Sequence, residues 1–226
     1  MIPSVTNRKL AIGLPLSFPM VHAGFLDSMM TLERPDFIYL RANNGPVDGL
    51  RNKLVLDAMT HGCSHLIMMD CDQTYPPDTI PRLLAHNLPV VGCLIFRRYP
   101  PFDPLMLRGP VGKYRTIEEW EPGSLVEVDA TGTGCLMFDM RLFYDLPQPW
   151  FKFRPSPDPE SSSMMGEDIG FCYDIKQAGY KIFVDTAVQC GHLSTMEVQE
   201  GTWRFYGNLK RQQRALKLKE QQSKED

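Results

Sequence analysis

A train of short strand-like runs in the first hundred residues constrains the fold more than any other feature. Lys9–Leu14, Asp36–Arg41, His65–Met69 and Pro89–Phe96 read as strands, the first stopped by Pro15. Between them, Val47–Thr60 has helical spacing, with Leu50, Leu54, Val55 and Ala58 on one face and Gly62 at its end. Asp78 caps a second helix that reaches about Asn87. This β-α-β-α-β order predicts an α/β, Rossmann-like architecture. Its central sheet is mostly parallel, has right-handed crossovers and is flanked by helices. At 226 residues, 43% hydrophobic, the chain suits one large globular domain or one with a small appendage.

Chemistry first enters at Asp70-Cys71-Asp72, directly after the run His65–Met69. Residues two apart on a strand share a face, so both carboxylates can aim beyond the strand's carboxyl end. Ligands bind there in open α/β sheets. Two bare carboxylates repel unless a cation lies between them, and a hard divalent ion with positions left for phosphate oxygens would serve. A solvated surface turn is the simpler alternative. A calcium loop of the EF-hand type is excluded, because Tyr75 stands at the glycine position and Pro81 at the terminal glutamate.

The second half is less regular. Arg97 to Gly123, rich in proline, arginine and aromatics, reads as a long loop holding a short hairpin. Leu125–Asp129 and Cys135–Phe138 are strand-like and are joined through Thr131-Gly132-Thr133-Gly134. Gln148 to Gly166 reads as a long loop, functional or disordered. Glu167–Gln177 reads as a helix closed by Gly179, and Tyr180–Asp185 and Val188–Cys190 as short strands. The six cysteines form no Cys-x-x-Cys pair and read as reduced, buried thiols of a cytosolic chain. Leu10–Phe25 faintly imitates a signal peptide, but Pro15 and Pro19 break its apolar stretch. No run approaches a membrane span. Net charge is −3, which excludes an overall polyelectrolyte binder. Yet Arg204 to Lys219 carries Arg204, Lys210, Arg211, Arg214, Lys217 and Lys219 without an acid. That stretch is a solvated helix or a basic arm for an anionic acceptor or membrane surface.

A second constellation lies a hundred residues beyond the first. Gly166-Glu167-Asp168 opens a helix after the long loop, where carboxylates either cap the helix or act as a general base beneath a lid. His192 follows a short strand in Cys190-Gly191-His192, from which it can approach the same sheet edge as Asp72. A neutral imidazole can add a ligand to a carboxylate-bound metal.

Taken together, the strand ending in Asp70-x-Asp72, Thr131-Gly132-Thr133-Gly134, Gly166-Glu167-Asp168, Gly179-Tyr180-Lys181-Ile182 and His192 follow an order that resembles the GT-A nucleotide-sugar glycosyltransferases, in their family-2-like branch. The likeness covers about residues 9 to 195. It implies that Asp72 binds a divalent cation, Mn2+ or Mg2+, bridging a donor diphosphate, with His192 as a further ligand. Asp70 would lie near the ribose and the metal. It implies that Asp168, or its neighbour Glu167, takes the acceptor's proton in an inverting transfer. Pro15, Leu16 and Ser17 would meet the nucleotide base, and Arg51 and Asn52 the diphosphate or donor sugar. Thr131, Gly132, Thr133, Arg97 and Arg98 fall on the acceptor side. The donor is a nucleotide sugar, most readily UDP- or GDP-linked. The implied domain is 1–203, with a donor half of about 9–96 and a small irregular acceptor half of 97–203. A basic tail, 204–226, follows.

Trp203-Arg204 stands in reverse order to the Gln-x-x-Arg-Trp motif of processive relatives, which argues against a membrane-embedded polymer synthase. A nucleotidyltransferase would place a glycine-rich basic loop after the first strand, where Gly13–Pro19 has one glycine and no cation. A non-catalytic nucleotide-sugar-binding module would have no need to keep Asp70, Asp72, Asp168 and His192 together. Compact enzymes of this type occur among bacterial surface-polysaccharide enzymes and phage enzymes, some of which glycosylate hydroxymethylpyrimidines in DNA. The resemblance therefore implies a cytoplasmic site, bacterial or in a phage-infected host. The acceptor is a carbohydrate or small molecule, with DNA as the alternative. Arg97, Arg98, Arg108, Lys113 and Arg115 mixed with Tyr99, Phe102, Tyr114 and Trp120 suit a phosphate backbone and a flipped base.

Overall fold

The computed structural model describes residues 9–157, 164–195, 199–205, 208 and 211–212. The chain divides into two compact units, Met1–Leu193 and Ser194–Asp226. The first unit begins with β1 (Leu10–Leu16), α1 (Ala23–Thr31), β2 (Phe37–Asn43), α2 (Val47–Thr60), β3 (His65–Met69), β4 (Gln73–Thr74), α3 (Thr79–His86) and β5 (Val90–Leu94). It continues with β6 (Met106–Arg108), β7 (Arg115–Thr116), β8 (Leu125–Val128), β9 (Ala130–Thr131), β10 (Cys135–Asp139) and α4 (Leu142–Asp145). Last come β11 (Arg154–Pro155), β12 (Met164–Met165), α5 (Glu167–Gln177), β13 (Ile182–Gln189) and β14 (Gly191–His192).

Seven strands form the central sheet in the order β2-β1-β3-β10-β5-β13-β8. β2, β1 and β3 pair in parallel, as do β5 and β13, while β10 runs antiparallel to both its neighbours and β8 antiparallel to β13. The sheet is therefore mostly parallel, as the element order predicts. The place of β10 has a functional consequence. A strand running against its neighbours starts where theirs end, so Gly134, just before β10, lands beside the carboxyl end of β3. The Asp70 N–H donates to the Gly134 carbonyl at 2.9 Å.

Side-chain alternation gives the sheet two buried faces. Leu66 and Met68 of β3 join Leu50, Leu54, Val55 and Ala58 of α2 on one face. Ile67 and Met69 join Phe25 of α1 and Ile80 and Leu83 of α3 on the other. α2 is closed off by Gly62, two residues past its end, whose φ of +64° suits glycine and whose N–H bonds the Met59 carbonyl.

Several expectations change. Pro15 does not stop β1, which runs on to Leu16. Pairing with β3 has ended at Gly13, so the strand there has an open side on which a residue lacking an N–H is tolerated. Asp78 precedes α3 without a capping hydrogen bond, and its carboxylate faces Arg82 at 3.5 Å instead. The two short runs after α5 are one strand, β13, whose register against β5 shifts between Asp185 and Gln189. The loop after β5 contains a β6–β7 hairpin, with β6 also paired to β9. The loop before α5 contains the β11–β12 pair, and Arg154 ties it to α5 by donating to Asp174 and to the Gly170 carbonyl. Ser161, Ser162 and Ser163 lie outside the described residues. All six cysteines are free, and all but half-buried Cys71 are buried.

In the second unit, residues 200–205 are helical and Arg204 pairs with Glu200. Lys210, Arg214, Lys217 and Lys219 lie outside the described residues. Among the described residues no helix is long and apolar enough to cross a membrane.

Candidate active site

Helical spacing puts Arg51 in line with Leu54, Val55 and Ala58, on the face of α2 that meets the core, at the carboxyl edge of the sheet. A cation buried there must find anions. Asp70 continues the face of Met68 and supplies one: both its carboxylate oxygens lie 3.2 Å from Arg51 Nη2. Arg51 Nε donates to Glu167 Oε1 at 3.2 Å, and Nη1 to the Thr133 carbonyl at 3.3 Å. One guanidinium thus joins α2, β3, the segment before β10 and the start of α5. Burial works against its charge, but Asp70, Glu167 and Asp168 outweigh burial and its pKa is raised. The sequence pointed Arg51 at the donor. In the fold its guanidinium is first the counter-ion of the carboxylates.

Asp72 has separate company. β4 pairs with β14, setting His192 opposite Gln73, and the Leu193 N–H donates to the Asp72 carbonyl at 2.7 Å. His192 Nδ1 lies 2.6 Å from the Phe96 carbonyl and donates to it, which leaves Nε2 facing Asp72 Oδ2 at 3.5 Å. That separation is beyond a hydrogen bond, and among the described residues Nε2 is a buried atom without a partner. A lone pair aimed at a carboxylate calls for a cation between them, either a proton or a metal ion. The donor set of one imidazole nitrogen and one carboxylate oxygen fits a divalent ion. Arg98 Nη2 also contacts Asp72 Oδ2 at 2.5 Å. Burial alone would raise Asp72, but His192 and Arg98 hold its pKa below the ordinary value. Asp72 in turn raises that of His192.

Glu167 and Asp168 open α5 after Gly166. Glu167 is taken up by Arg51. Asp168 accepts from the Ile169 N–H at 2.7 Å, and among the described residues no cation pairs with it directly. Its pKa is raised by burial, opposed by Arg51 and reinforced by Asp70. Glu167 is raised by burial and by Asp168. Gly132 faces Asp168 closely: a β-carbon there would lie 3.9 Å from Oδ2 and only 3.0 Å from Ile95.

Two cavities flank these carboxylates. One of about 430 Å³ is lined by Pro15, Ser17, Phe18, Arg51, Asp70, Asp72 and Arg98, among others. The other, of about 290 Å³, is lined by Arg97, Tyr114, Thr116, Ser156, Gly166 and Ile169, among others. Asp168 itself lines neither cavity: Gly166 and Ile169, on either side of it in the chain, line the second, and Arg51 and Asp70, whose charges act on it, line the first. The adjacent arginines therefore part company. Arg97 reaches the second cavity, while Arg98, assigned from sequence to the acceptor, sits with Asp72 in the first. Leu16 is buried and borders a smaller hollow with Arg41 and Asn43. Asn52 is a correction: it lines neither cavity. Its amide clasps the backbone of Trp150 and Phe151, accepting from both N–H groups and donating to the Phe151 carbonyl. Thr131 and Thr133 are also buried, and among the described residues their hydroxyls have no partner.

The sequence did not single out Phe18, Gln73 or Tyr75 for the site. The Tyr75 hydroxyl lies 2.6 Å from the Asp70 carbonyl and 3.0 Å from that of Gly134, and so braces the turn. A β-carbon at Gly134 would fall 2.0 Å from the Gln73 amide, so glycine is required unless Gln73 moves.

No family model and no curated protein matches the chain. Among solved structures, A197 from STIV superposes at a TM-score of 0.57 with 15% identity, over 84% of this chain and 87% of A197. GalNAc-T7, solved with UDP, GalNAc and Mn2+, superposes at 0.57 with 11% identity over 85% of this chain. The fold is that of the GT-A glycosyltransferases. The chain spans 45% of the GalNAc-T7 length. Within this GT-A fold, the 430 Å³ cavity lies at the carboxyl ends of β1 and β3, where open α/β sheets receive ligands.

Proposed function

We propose that the chain is a metal-dependent glycosyltransferase that moves a sugar from a nucleoside-diphosphate donor to an acceptor hydroxyl. The observation that carries the reading is His192 Nε2, buried, without a hydrogen-bond partner among the described residues, and aimed at Asp72 on the wall of a cavity with room for a nucleotide. Asp72 and His192 would hold a divalent cation, Mn2+ or Mg2+, with Asp70 close by on Arg51. Such an ion supplies positive charge against the departing diphosphate. The Mn2+ and UDP bound by GalNAc-T7 agree with this choice of ligand.

The chain's own groups do the remaining work. Phe18, Pro15 and Ser17 offer a base-binding wall beside the carboxylates. Arg98 leaves Asp72 and meets the donor phosphates. Asp168 is the base: its carboxylate accepts the acceptor hydroxyl's proton as the new C–O bond forms and the bond to the diphosphate breaks, an inverting displacement. A raised pKa suits a group that must take a proton near neutral pH. Glu167 is the weaker candidate because Arg51 already engages it. The acceptor enters the cavity of Arg97 and Tyr114, beyond Asp168. A sugar or other small hydroxyl compound suits that 290 Å³ hollow better than a duplex, since Arg108 already donates to the Glu127 carbonyl and Arg98 to Asp72.

A thermal-shift screen with UDP, GDP, CDP and their sugars, with and without Mn2+, tests the reading. A bound donor raises the midpoint by mass action, and Mn2+ must deepen the shift. No shift with any nucleotide would remove the proposal.

A further inference from the structure

The carboxyl edge of the sheet also carries a group of sulfurs that sugar transfer does not use. Cys135 opens β10 as the register partner of Met69 at the end of β3. Its Sγ lies 3.0 Å from that of Cys93 on neighbouring β5. Cys190 follows β13 and is held by its N–H to the Leu94 carbonyl, at 2.9 Å. The three sulfurs lie within 4.8 Å of one another. Each residue is at most 2% exposed, and each thiol is free. Among the described residues no other set of three His, Cys, Asp or Glu side chains is close enough to share an ion in this way.

We propose that Cys93, Cys135 and Cys190 form a site for one soft, thiophilic d10 cation of the Cu+ or Zn2+ class. Thiolates held about 2.3 Å from an ion in a plane stand roughly 4 Å apart. The trio needs only a modest opening of the Cys93–Cys135 pair to reach that geometry. Thiolate donors select soft ions, whereas Asp72 and His192 suit a harder one, so the two sites would sort cations by chemistry. Binding is an exchange: three thiols lose their protons to solvent and the sulfurs bind the ion, with no electron transferred. The positions are preset, because ladders and backbone bonds fix all three. Cys135 follows Gly134, whose carbonyl holds Asp70, and Cys190 precedes the Gly191–His192 strand. An ion here would fasten the segment that braces Asp70 to the segment that carries His192.

The test uses the full chain, reduced and stripped of metal, with Cd2+ as the probe. Titration should raise a thiolate-to-cadmium ultraviolet band that saturates at one equivalent, and Zn2+ should compete for it. Cys135→Ser and Cys93→Ala should each abolish the band while keeping the native circular dichroism. X-ray absorption at the cadmium edge of the unmutated protein decides the matter even if neither variant folds, and three sulfur neighbours are expected. Two or fewer sulfurs would overturn the site. So would a band of full intensity in either variant, which would assign the ion to Cys63, Cys71 or Cys172. A Cys93–Cys135 disulfide in protein alkylated at lysis would replace it. None of these readouts depends on donor or Mn2+ binding, so they stand or fall apart from the transferase reading.

Discussion

Asp70 and Asp72 are two residues apart and occupy opposite electrostatic settings. Asp70 belongs to a buried network in which one guanidinium, itself only 5% exposed, spans four segments of the chain. Asp72 belongs to a looser cluster whose cation, Arg98, is 43% exposed and comes from a loop. A buried charge cannot be released without leaving its partners uncompensated, whereas a half-exposed one can be exchanged at little cost. The first region therefore maintains the shape of the site, and the second is where an ion or a phosphate can enter.

The sharpest way to break this contrast is Arg51→Ala. Buried Glu167 and partly buried Asp70 would then lose their counter-ion, at a cost of up to about 3–5 kcal/mol. Urea denaturation should show that loss, or outright failure to fold, and no activity should remain. Arg51→Lys should rescue little, since one ammonium cannot reproduce a fork that contacts Asp70, Glu167 and the Thr133 carbonyl at once. A stable Arg51→Ala protein would mean that the network is not what holds the site.

Asp168→Asn should have the opposite signature. Stability should be unchanged or slightly higher, because burial disfavours the charged carboxylate. Turnover should fall by ~100- to 10,000-fold, with donor binding intact. The pH dependence follows from the raised pKa. The folded state favours the protonated acid, so the base form appears only as pH rises past the raised value, and kcat/KM should climb with pH above the ordinary carboxylate range. Over the interval between the unfolded pKa and the raised folded one, stability falls as pH rises. The acid limb of the profile should vanish in Asp168→Asn. Its survival would move the base to Glu167.

How much of this was legible in the sequence depends on whether a residue's position follows from periodicity. Val47–Thr60 and Glu167–Gln177 were readable to the residue, because a 3.6-residue pattern and bracketing glycines specify a helix locally. The same periodicity contained Arg51: its register with Leu54, Val55 and Ala58 already required a buried cation with buried anions. The insertion of β10 between β3 and β5 was not readable, since alternation identifies a strand but not its neighbours. Arg97 and Arg98 were inseparable for a related reason. They lie in a loop without period, and only the β14–β4 pairing brings Asp72 and His192 up to one of them.

Asp72→Asn should leave the fold intact, since the cation paired with it, Arg98, is exposed and can turn to solvent. It should abolish Mn2+-dependent stabilisation by donor and reduce transfer to the level seen in EDTA. Equal activity with and without EDTA in the unmutated protein would remove the metal from this half of the comparison, while leaving the Arg51 network untouched.

The smallest predicted effect is the most discriminating. In the ion-free protein Arg98 occupies the coordination space of Asp72, so a metal ion must displace it. Exposed or half-exposed ion pairs contribute about 0.2–1 kcal/mol, which corresponds to a change of only a few-fold in affinity. Arg98→Ala should therefore tighten Mn2+ binding by a few-fold in isothermal titration, while weakening binding of the nucleoside diphosphate that the freed guanidinium would have met. The two changes must have opposite signs. If both affinities fall, Arg98 supports the ion rather than competing with it, and the cluster around Asp72 is held as firmly as the one around Asp70. If neither moves, the contact at Asp72 is an incidental surface pair, and His192 alone distinguishes this carboxylate from its neighbour.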